Sequence, residues 1–175
     1  MEKTLAVLNQ MVRDGVVERY AIGGAIAAAR YVEPIQTYDL DVFVIFPEAT
    51  SGLITLGPIY SYLRERNYLP VAEAVEIEGW PVQFLPVFNA LTEEALEQAD
   101  VVQFGKTSTR VLSAEHLAAI MLQTGRPKDH ARLIQFLDSG AIDHTQFLEI
   151  LKRHDLLEKW DSFRRRFLDE DDWGK

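Results

Sequence analysis

The chain has 175 residues, of which 47% are hydrophobic and 26% are charged. This length predicts one globular domain, or a small pair of domains that share one core. The composition excludes disordered and collagen-like chains. The absence of cysteine excludes disulfides, thiol catalysis and cysteine-based metal sites. The formal net charge of −9 argues against unspecific binding to DNA or RNA. Because no apolar run reaches the ~20 residues of a bilayer span and no signal peptide begins the chain, we expect a cytoplasmic protein without membrane binding.

The first part of the chain alternates helical and extended patterns. Apolar residues at helical spacing, glycine stops and an alanine-rich stretch predict helices, and β-branched and aromatic runs predict strands. In chain order, helices are predicted over 2–14, 25–31 and 56–66, and strands over 19–22 and 40–46. The strand over 40–46 has the continuous apolar character of a buried central strand.

A hairpin is predicted next, with strands over 71–78 and 81–87. If the loop consists of Gly79 and Trp80, cross-strand partners follow from the spacing. The expected pairs are Ile77 with Val82, Val75 with Phe84, and Glu76 with Gln83.

The rest of the chain is mainly helical after two short edge strands over 101–104 and 109–112. N-cap residues for the helices are expected at Thr92, Ser113, Asp129, Asp143 and Asp155. We therefore predict an α/β (α+β) core over 1–112, with a helical subdomain over 113–175 packed on it. A solvated acidic tail is expected over 169–172. The four histidines lack zinc-site spacing and are expected at surface or capping positions.

Asp39 and Asp41 begin the predicted central strand, separated by one apolar residue. Side chains two apart on a strand share a face, with Cα atoms roughly 6 to 7 Å apart, so both carboxylates face one small volume. Two ionised carboxylates there repel each other, and a divalent cation such as Mg²⁺ would make the arrangement favourable. The pair predicts either a metal site or two solvated carboxylates at a strand end.

Gly23 and Gly24 stand between the strand over 19–22 and the helix that follows. Glycines at such a turn let backbone N–H groups approach a phosphate. The alternative is a tight turn without a ligand. The motif is not the longer P-loop, which carries a lysine.

Together, Gly23-Gly24-Ala25 and Thr37-Tyr38-Asp39-Leu40-Asp41-Val42 resemble the signature of the nucleotidyltransferase superfamily related to DNA polymerase β. More narrowly, they are similar to minimal bacterial nucleotidyltransferases and to the nucleotidyltransferase-like toxins of abortive-infection systems. A second similarity to the toxin-like relatives lies in Glu115-His116-Leu117 and Gly125-Arg126-Pro127-Lys128-Asp129. The resemblance implies a nucleotidyltransferase-like mixed sheet with flanking helices.

The resemblance also implies a reaction, in which an acceptor hydroxyl attacks the α-phosphate of a nucleoside triphosphate (NTP) and pyrophosphate leaves. Asp39 and Asp41 would hold two Mg²⁺ or Mn²⁺ ions, and Gly23 and Gly24 would cradle the phosphates. Lys128 is the preferred nucleotide contact, and the alternative is an exposed charge beside the expected cap Asp129. The basic candidates from which it is chosen are Arg126, Lys128, Arg132, Lys106 and Arg110.

One position departs from the superfamily pattern. A third carboxylate is expected on a neighbouring strand, and this chain has Gln83 there. An amide oxygen can ligate Mg²⁺ but lacks the charge that helps to activate the hydroxyl, so we expect weaker binding of the catalytic metal. The predicted hairpin register offers Glu76 as a replacement ligand, or as a solvated cross-strand partner of Gln83.

Two functional classes stay open. The first is a Mg²⁺-dependent nucleotidyltransferase whose acceptor is a tRNA, a protein or a small molecule, and the intact Asp39 and Asp41 favour it. The second is a catalytically impaired relative that binds a nucleotide or a partner as a regulatory module, and Gln83 favours it. The toxin-like branch would further imply an antitoxin-type protein partner.

Overall fold

The computed structural model describes residues 1–34, 37, 39–47, 56–71 and 73–168. Tyr38 of the predicted motif and the predicted acidic tail over 169–172 lie outside this described part. Predictions about them are therefore untested.

Eight helices form in the described part of the chain. They are α1 (Glu2–Arg13), α2 (Gly24–Ala28), α3 (Gly57–Glu65), α4 (Ala90–Glu97), α5 (Ala114–Thr124), α6 (Pro127–Asp138), α7 (His144–Arg153) and α8 (Leu157–Phe167). None of these eight is long and apolar enough to cross a membrane.

Seven strands of the described residues form one mixed sheet. They are β1 (Arg19–Ile22), β2 (Leu40–Ile45), β3 (Pro70–Val71), β4 (Ala74–Ile77), β5 (Trp80–Pro86), β6 (Asp100–Phe104) and β7 (Thr107–Val111). Their order across the sheet is β3-β4-β5-β2-β1-β7-β6, with β2 antiparallel to β1 and parallel to β5. The predicted mixed α/β class is confirmed. β7, predicted as an edge strand, lies inside the sheet because it pairs with both β1 and β6.

Strand β2 is the central strand that its sequence predicts. Leu40, Val42 and Val44 are buried along one face, and Phe43 is buried on the other. Continuous apolar character of this kind is typical of a strand that other elements cover on both faces. The predicted and observed ends agree to within one residue.

The β4–β5 hairpin has a different turn from the predicted one. Glu78 and Gly79 form its two-residue loop, with φ values of 52° and 80°, so Ile77 pairs directly with Trp80. Two-residue hairpin loops of this kind need positive φ at both central residues, and a glycine meets that need with little strain. Trp80 therefore belongs to strand β5 and not to the loop.

This shift of the turn moves Glu76 opposite Pro81. The predicted pairing of Glu76 with Gln83 is wrong, because the turn begins one residue earlier than expected. Among the described residues, no group of three His, Cys, Asp or Glu side chains could hold a metal ion. Glu76 is exposed and does not complete a carboxylate cluster with Asp39 and Asp41.

Two of the predicted helix caps are confirmed. The Ser113 side chain accepts a hydrogen bond from the His116 backbone N–H, and the Asp143 side chain accepts one from that of Gln146. These bonds satisfy donors that the first turn of a helix leaves without an intrahelical partner.

Three predicted caps lie elsewhere. Thr92 is in the first turn of α4, where it completes a capping box with the N-cap residue Asn89. Asp129 lies inside the first turn of α6, which begins two residues earlier at Pro127. Asp155 precedes the N-cap of α8 and has a left-handed backbone, with φ of 55°.

One cluster of buried hydrophobic residues joins the sheet to the later helices. It includes Leu8 of α1, Phe84 of β5, Phe136 of α6 and Phe147 of α7. Helix α5 packs against α2 and α4 and also against α6, α7 and α8. The later helices therefore share the core of the sheet, and the division at residue 112 stays a prediction.

Candidate active site

The candidate site begins on one face of the sheet, where β2 and β5 run parallel. Asp41 pairs with Gln83, and Phe43 pairs with Leu85. Paired residues of neighbouring strands project to the same face, and so do residues two apart on one strand. Asp39 precedes β2 by one residue, and its Oδ1 accepts a hydrogen bond of 2.9 Å from the Thr37 hydroxyl. The face therefore changes from acidic to apolar along the strands.

The turn between β1 and α2 lies against this face. The Gly23 backbone N–H donates a hydrogen bond of 2.9 Å to the Asp41 carbonyl oxygen. Gly24 has φ of +57°, and a Cβ there would lie 2.7 Å from the Asp41 Cγ and would overlap the carboxylate. Both the left-handed backbone and the close approach require glycine at position 24.

Basic side chains come from the turn between α5 and α6. Gly125 ends α5 in the left-handed conformation, with φ of 69°, and Arg126 is the N-cap residue of α6. The Arg126 guanidinium forms two hydrogen bonds, of 2.6 and 3.2 Å, to the buried Asp129 carboxylate. Lys128 and Arg132 follow on α6 at i and i+4, so they lie on the same side of the helix.

These elements enclose a cavity of about 750 Å³. One part of the lining comes from the sheet face and another part from α5 and the start of α6. Its polar and charged lining consists of Gly24, Thr37, Asp39, Asp41, Gln83, Thr124, Arg126, Lys128, Asp129 and Arg132. Its apolar lining consists of Ala25, Phe43, Pro81, Leu85, Leu117, Ile120 and Met121.

The charges in the cavity perturb one another. Burial raises the pKa of Asp41, and the nearby Asp39 carboxylate raises it further. The charges of Lys128, Arg126 and Arg132 act in the opposite direction and favour the ionised form of Asp41. An isolated acidic pair here is therefore unfavourable, whereas added positive charge near it is favourable.

Acidic and basic side chains line the same cavity. Arg126 is paired with Asp129, and in the described part of the chain no salt bridge of 4.0 Å or less joins Lys128 or Arg132 to a carboxylate. Asp39 and Asp41 together with the Gln83 amide oxygen are hard oxygen donors of the kind that Mg²⁺ or Mn²⁺ prefers. The donor set therefore fits a divalent cation, although it has one charge fewer than three carboxylates would supply.

Five of the six predicted site residues line this cavity: Gly24, Asp39, Asp41, Gln83 and Lys128. The sixth, Gly23, is buried behind it, where a Cβ would collide with the Phe43 ring. The Gly23 N–H donates to the Asp41 carbonyl oxygen, and the Gly23 carbonyl oxygen accepts from the Ala27 N–H, so both of its backbone groups are already paired within the protein. Among the other basic candidates, Arg110 does not line the cavity, and its Nη2 donates to the carbonyl oxygens of Glu97 and Ala99.

A second cluster of charges was not predicted. Glu94 of α4 accepts a hydrogen bond of 2.6 Å from Arg153, and its two oxygens lie 3.3 Å from His116 Nε2 and 2.8 Å from His154 Nε2. The Arg153 bond is the main cause that lowers the pKa of Glu94 to about 2. His116 is buried, so an expected surface position is wrong, and its Nδ1 lies 2.9 Å from the Oγ of the N-cap residue Ser113. Burial lowers the pKa of His116. The partners of Glu94 are 22, 59 and 60 residues away, so local sequence gave no signal for them.

Comparisons with known proteins bear on the fold of the chain. No family model matches the sequence, and no curated protein matches it. A solved structure is similar to this chain, namely the crystal structure of an antigenic nucleotidyltransferase-like protein from Paracoccidioides brasiliensis. It aligns with a TM-score of 0.58 at 14% identity, covering 97% of this chain and 90% of that one. This chain has the nucleotidyltransferase superfamily fold.

Two structures of ANT(2'')-Ia align less closely. A crystal structure in complex with adenylyl-2''-tobramycin aligns at 16% identity with a TM-score of 0.46, covering 94% of this chain and 95% of that one. A solution structure aligns at 14% identity with a TM-score of 0.43, covering 95% and 92%. The alignment with the Paracoccidioides brasiliensis protein supports the nucleotidyltransferase fold. Membership of the toxin-like branch stays a prediction.

Proposed function

We propose that this protein is a metal-dependent nucleotidyltransferase, which moves a nucleoside monophosphate from an NTP to a hydroxyl acceptor. One observation carries the proposal. Asp39 and Asp41 line the same cavity of about 750 Å³ as Lys128 and Arg132, and no salt bridge joins the two acidic residues to the two basic ones. A divalent cation bound to a polyphosphate is complementary to both pairs of side chains, because it presents positive charge to one and negative charge to the other.

Each part of the lining then has a distinct task. Asp39, fixed by the Thr37 hydroxyl, and Asp41, which packs against Gly24, provide carboxylate oxygens for the metal. When bound, Mg²⁺ or Mn²⁺ would lower the pKa of the acceptor hydroxyl and stabilise the charge of the leaving pyrophosphate. The backbone of Gly24, which lines the cavity, approaches the phosphates, whereas the Gly23 N–H is already bonded to the Asp41 carbonyl oxygen. Lys128 offsets the phosphate charge.

The neutral side chain of Gln83 determines the rate of nucleotidyl transfer that we expect. Its side chain lies beside Asp41 on the same face, at the position where the family resemblance implies a third carboxylate. The neutral amide withdraws no proton and adds no negative charge near the hydroxyl. We therefore expect slow transfer combined with intact nucleotide binding.

The acceptor is a hydroxyl of a tRNA, a protein or a small molecule. The net charge of −9 weighs against the RNA alternative at physiological ionic strength. An antitoxin-type protein partner belongs to the toxin-like branch and stays a prediction with it.

The test is transfer of label from each α-³²P-labelled NTP in the presence of Mg²⁺ or Mn²⁺, with total RNA, protein extract and a small-molecule extract as separate acceptors. Label in one fraction identifies donor and acceptor class together. Asp41→Asn should abolish the label, and Asp138→Asn, at an exposed position on α6, should leave it unchanged. Label that is equal in wild type and Asp41→Asn contradicts the proposal.

The second candidate function is a nucleotide-binding regulatory module without transfer. The neutral Gln83 beside Asp41 favours it. In that case the NTP raises the melting temperature in the presence of Mg²⁺, Asp41→Asn removes this increase, and no fraction becomes labelled.

A further inference from the structure

Ser113, His116 and Glu94 are linked by hydrogen bonds outside the candidate active site. The Ser113 Oγ lies 2.9 Å from His116 Nδ1, and His116 Nε2 lies 3.3 Å from a carboxylate oxygen of Glu94. Ser113 and His116 belong to the start of α5, whereas Glu94 comes from α4. A hydroxyl, an imidazole and a carboxylate in successive hydrogen-bond contact are the arrangement that activates a nucleophile.

The ionised state of Glu94 determines which ring nitrogen of His116 carries the proton. The pKa of Glu94 is lowered to about 2, chiefly by the hydrogen bond from Arg153, so at neutral pH its carboxylate only accepts hydrogen bonds. Nε2 of His116 must therefore be the donor to Glu94. Burial lowers the pKa of His116 and so favours the neutral ring. In that tautomer Nδ1 is an acceptor, and the Ser113 hydroxyl donates to it.

The capping role of Ser113 leaves this hydroxyl proton available. As the N-cap residue of α5, Ser113 accepts a hydrogen bond at Oγ from the His116 backbone N–H. That bond uses a lone pair of the oxygen, whereas the bond to Nδ1 uses its proton. Ser113 can therefore cap the helix and be polarised by the imidazole at the same time.

This hydroxyl borders a second cavity of about 460 Å³, which shares no lining residue with the candidate active site. Ser113 and His116 both line it, together with the carboxylates of Asp100, Glu115 and Glu149. A cavity of this volume accommodates a small molecule. The three acidic side chains disfavour an anionic one.

The first residues of α5 provide donors for a developing negative charge. Ala114 and Glu115 line the same cavity, and their backbone N–H groups belong to the first turn of the helix, where no intrahelical acceptor exists for them. Donors of this kind, at the positive end of a helix dipole, stabilise an oxyanion. The start of α5 therefore supplies both the hydroxyl and the groups that a tetrahedral intermediate needs.

We propose that this cavity is a second catalytic site, independent of the proposed transferase, in which Ser113 attacks small neutral or cationic carboxylic esters. The Ser113 Oγ forms a bond to the acyl carbon while the hydroxyl proton moves to His116 Nδ1. The ester C–O bond then breaks, and the leaving alcohol takes up that proton.

Water completes the reaction. It gives a proton to Nδ1 of His116 as its oxygen bonds to the acyl carbon, and the proton passes to the Ser113 oxygen when the carboxylic acid leaves. Glu94 is a positioning residue, because it contacts the imidazole and not the ester.

The experiment is labelling with a fluorophosphonate, in which an Oγ–P bond forms at an activated serine, fluoride leaves and the hydroxyl proton passes to the base. Mass spectrometry gives the rate and the labelled residue. The variants are Ser113→Asn, His116→Gln and the control Ser162→Ala, which removes an exposed hydroxyl on α8. Because asparagine caps helices as well as serine does, Ser113→Asn should melt as wild type does and lack only the nucleophile. Hydrolysis of p-nitrophenyl acetate and of the anionic p-nitrophenyl hemisuccinate is measured with the same proteins.

Wild type and Ser162→Ala should be labelled at Ser113 and should hydrolyse the acetate faster than the hemisuccinate. Ser113→Asn should stay unlabelled, and His116→Gln should be labelled roughly 100-fold more slowly or less, as expected for loss of a general base. The proposal is overturned if Ser113 of wild type stays unlabelled, if Ser113→Asn hydrolyses the acetate as fast as wild type, if a folded His116→Gln reacts at the wild-type rate, or if the hemisuccinate is the better substrate.

The pH profile of labelling tests the positioning role of Glu94. The charged groups near His116 are Glu94 of α4, Glu115 of α5 and Arg153 of α7, and His154 contacts the same Glu94 carboxylate. Only the neutral imidazole accepts the proton, so labelling should accelerate as pH rises through the lowered pKa of His116 and level off below the ordinary value of 6.5. Glu94→Gln should slow labelling and move this profile to lower pH, because the carboxylate that raises the pKa of His116 is lost. An unmoved profile would contradict the role of Glu94.

Discussion

Asp41 and Gln83 are direct neighbours in the parallel register of β2 and β5. Neighbouring strands lie roughly 4.8 Å apart, and paired side chains project to the same face. The amide of Gln83 is therefore within reach of any cation that the Asp41 carboxylate holds. This pairing defines how much negative charge the sheet wall of the cavity offers.

Gln83→Glu should strengthen Mg²⁺ binding roughly tenfold, because a third carboxylate beside Asp41 adds attraction for the cation. Any nucleotidyl transfer should become faster. Without metal the same variant should be less stable than wild type, since three like charges then share the wall. Mg²⁺ titration monitored by calorimetry and by melting temperature measures both effects.

The matched control is Gln103→Glu, which adds the same charge on the exposed edge strand β6. It should leave Mg²⁺ affinity unchanged. A Gln83→Glu variant that binds Mg²⁺ no better than wild type would mean that the two paired side chains do not share a ligand.

Asp41→Asn should have opposite effects with and without ligand. The raised pKa of Asp41 means that its ionised form is disfavoured in the native state, a cost that is present at neutral pH and disappears as pH falls through the raised pKa. The ligand-free variant should therefore melt at the same temperature as wild type or higher. With Mg²⁺ and ATP the wild type should gain several degrees and the variant none, which differential scanning fluorimetry can measure.

Gly24→Ala should disturb the Asp41 carboxylate specifically. A Cβ at Gly24 overlaps that carboxylate, so either the backbone shifts or Asp41 rotates away. We expect loss of ~1 to 3 kcal/mol of stability from the left-handed backbone and a strongly reduced response of the melting temperature to Mg²⁺ with ATP.

Gly140→Ala separates these two effects. Gly140 has φ of +68°, similar to the +57° of Gly24, but nothing lies within 4 Å of a Cβ there. This control should lose stability and keep the full ligand response. A Gly24→Ala protein with an undiminished response would contradict the close approach of Gly24 to Asp41.

Glu94→Gln should reveal the charge network between α4 and α7. The pKa of Glu94 is lowered to about 2, so its stabilising effect is present above the unfolded value of 4.5 and is lost as pH falls towards 2. At pH 7 the variant should lose ~2 kcal/mol, or roughly 4 to 8 °C in melting temperature. The difference between wild type and variant should narrow as pH falls from 4.5 to 2.

The measurement is a series of thermal melts of both proteins across that pH range. Glu93→Gln, at the neighbouring exposed position, controls for loss of one acidic charge. A wild-type advantage that stays constant down to pH 2 would show that Glu94 does not titrate as the network requires.

Local sequence predicted the elements whose signals are short-range. Strand β1 over 19–22, the central strand β2 and the cap Ser113 follow from apolar runs and side-chain-to-backbone bonds within three residues. The predicted hairpin register was wrong, because moving the turn by one residue changes every cross-strand pair. Glu78 adopts a left-handed backbone conformation, which residues other than glycine rarely adopt.

The sequence alone determined that two acidic groups share one face of a strand and that glycines precede them, because strand periodicity and glycine's backbone freedom are local properties. Only the tertiary structure decided that Gln83 is the partner of Asp41, that Arg132 faces the same cavity, and that Arg126 is occupied by Asp129. These relationships depend on strand order and on how α6 packs over the sheet. Such long-range geometry comes from the whole core and leaves no pattern in any short segment.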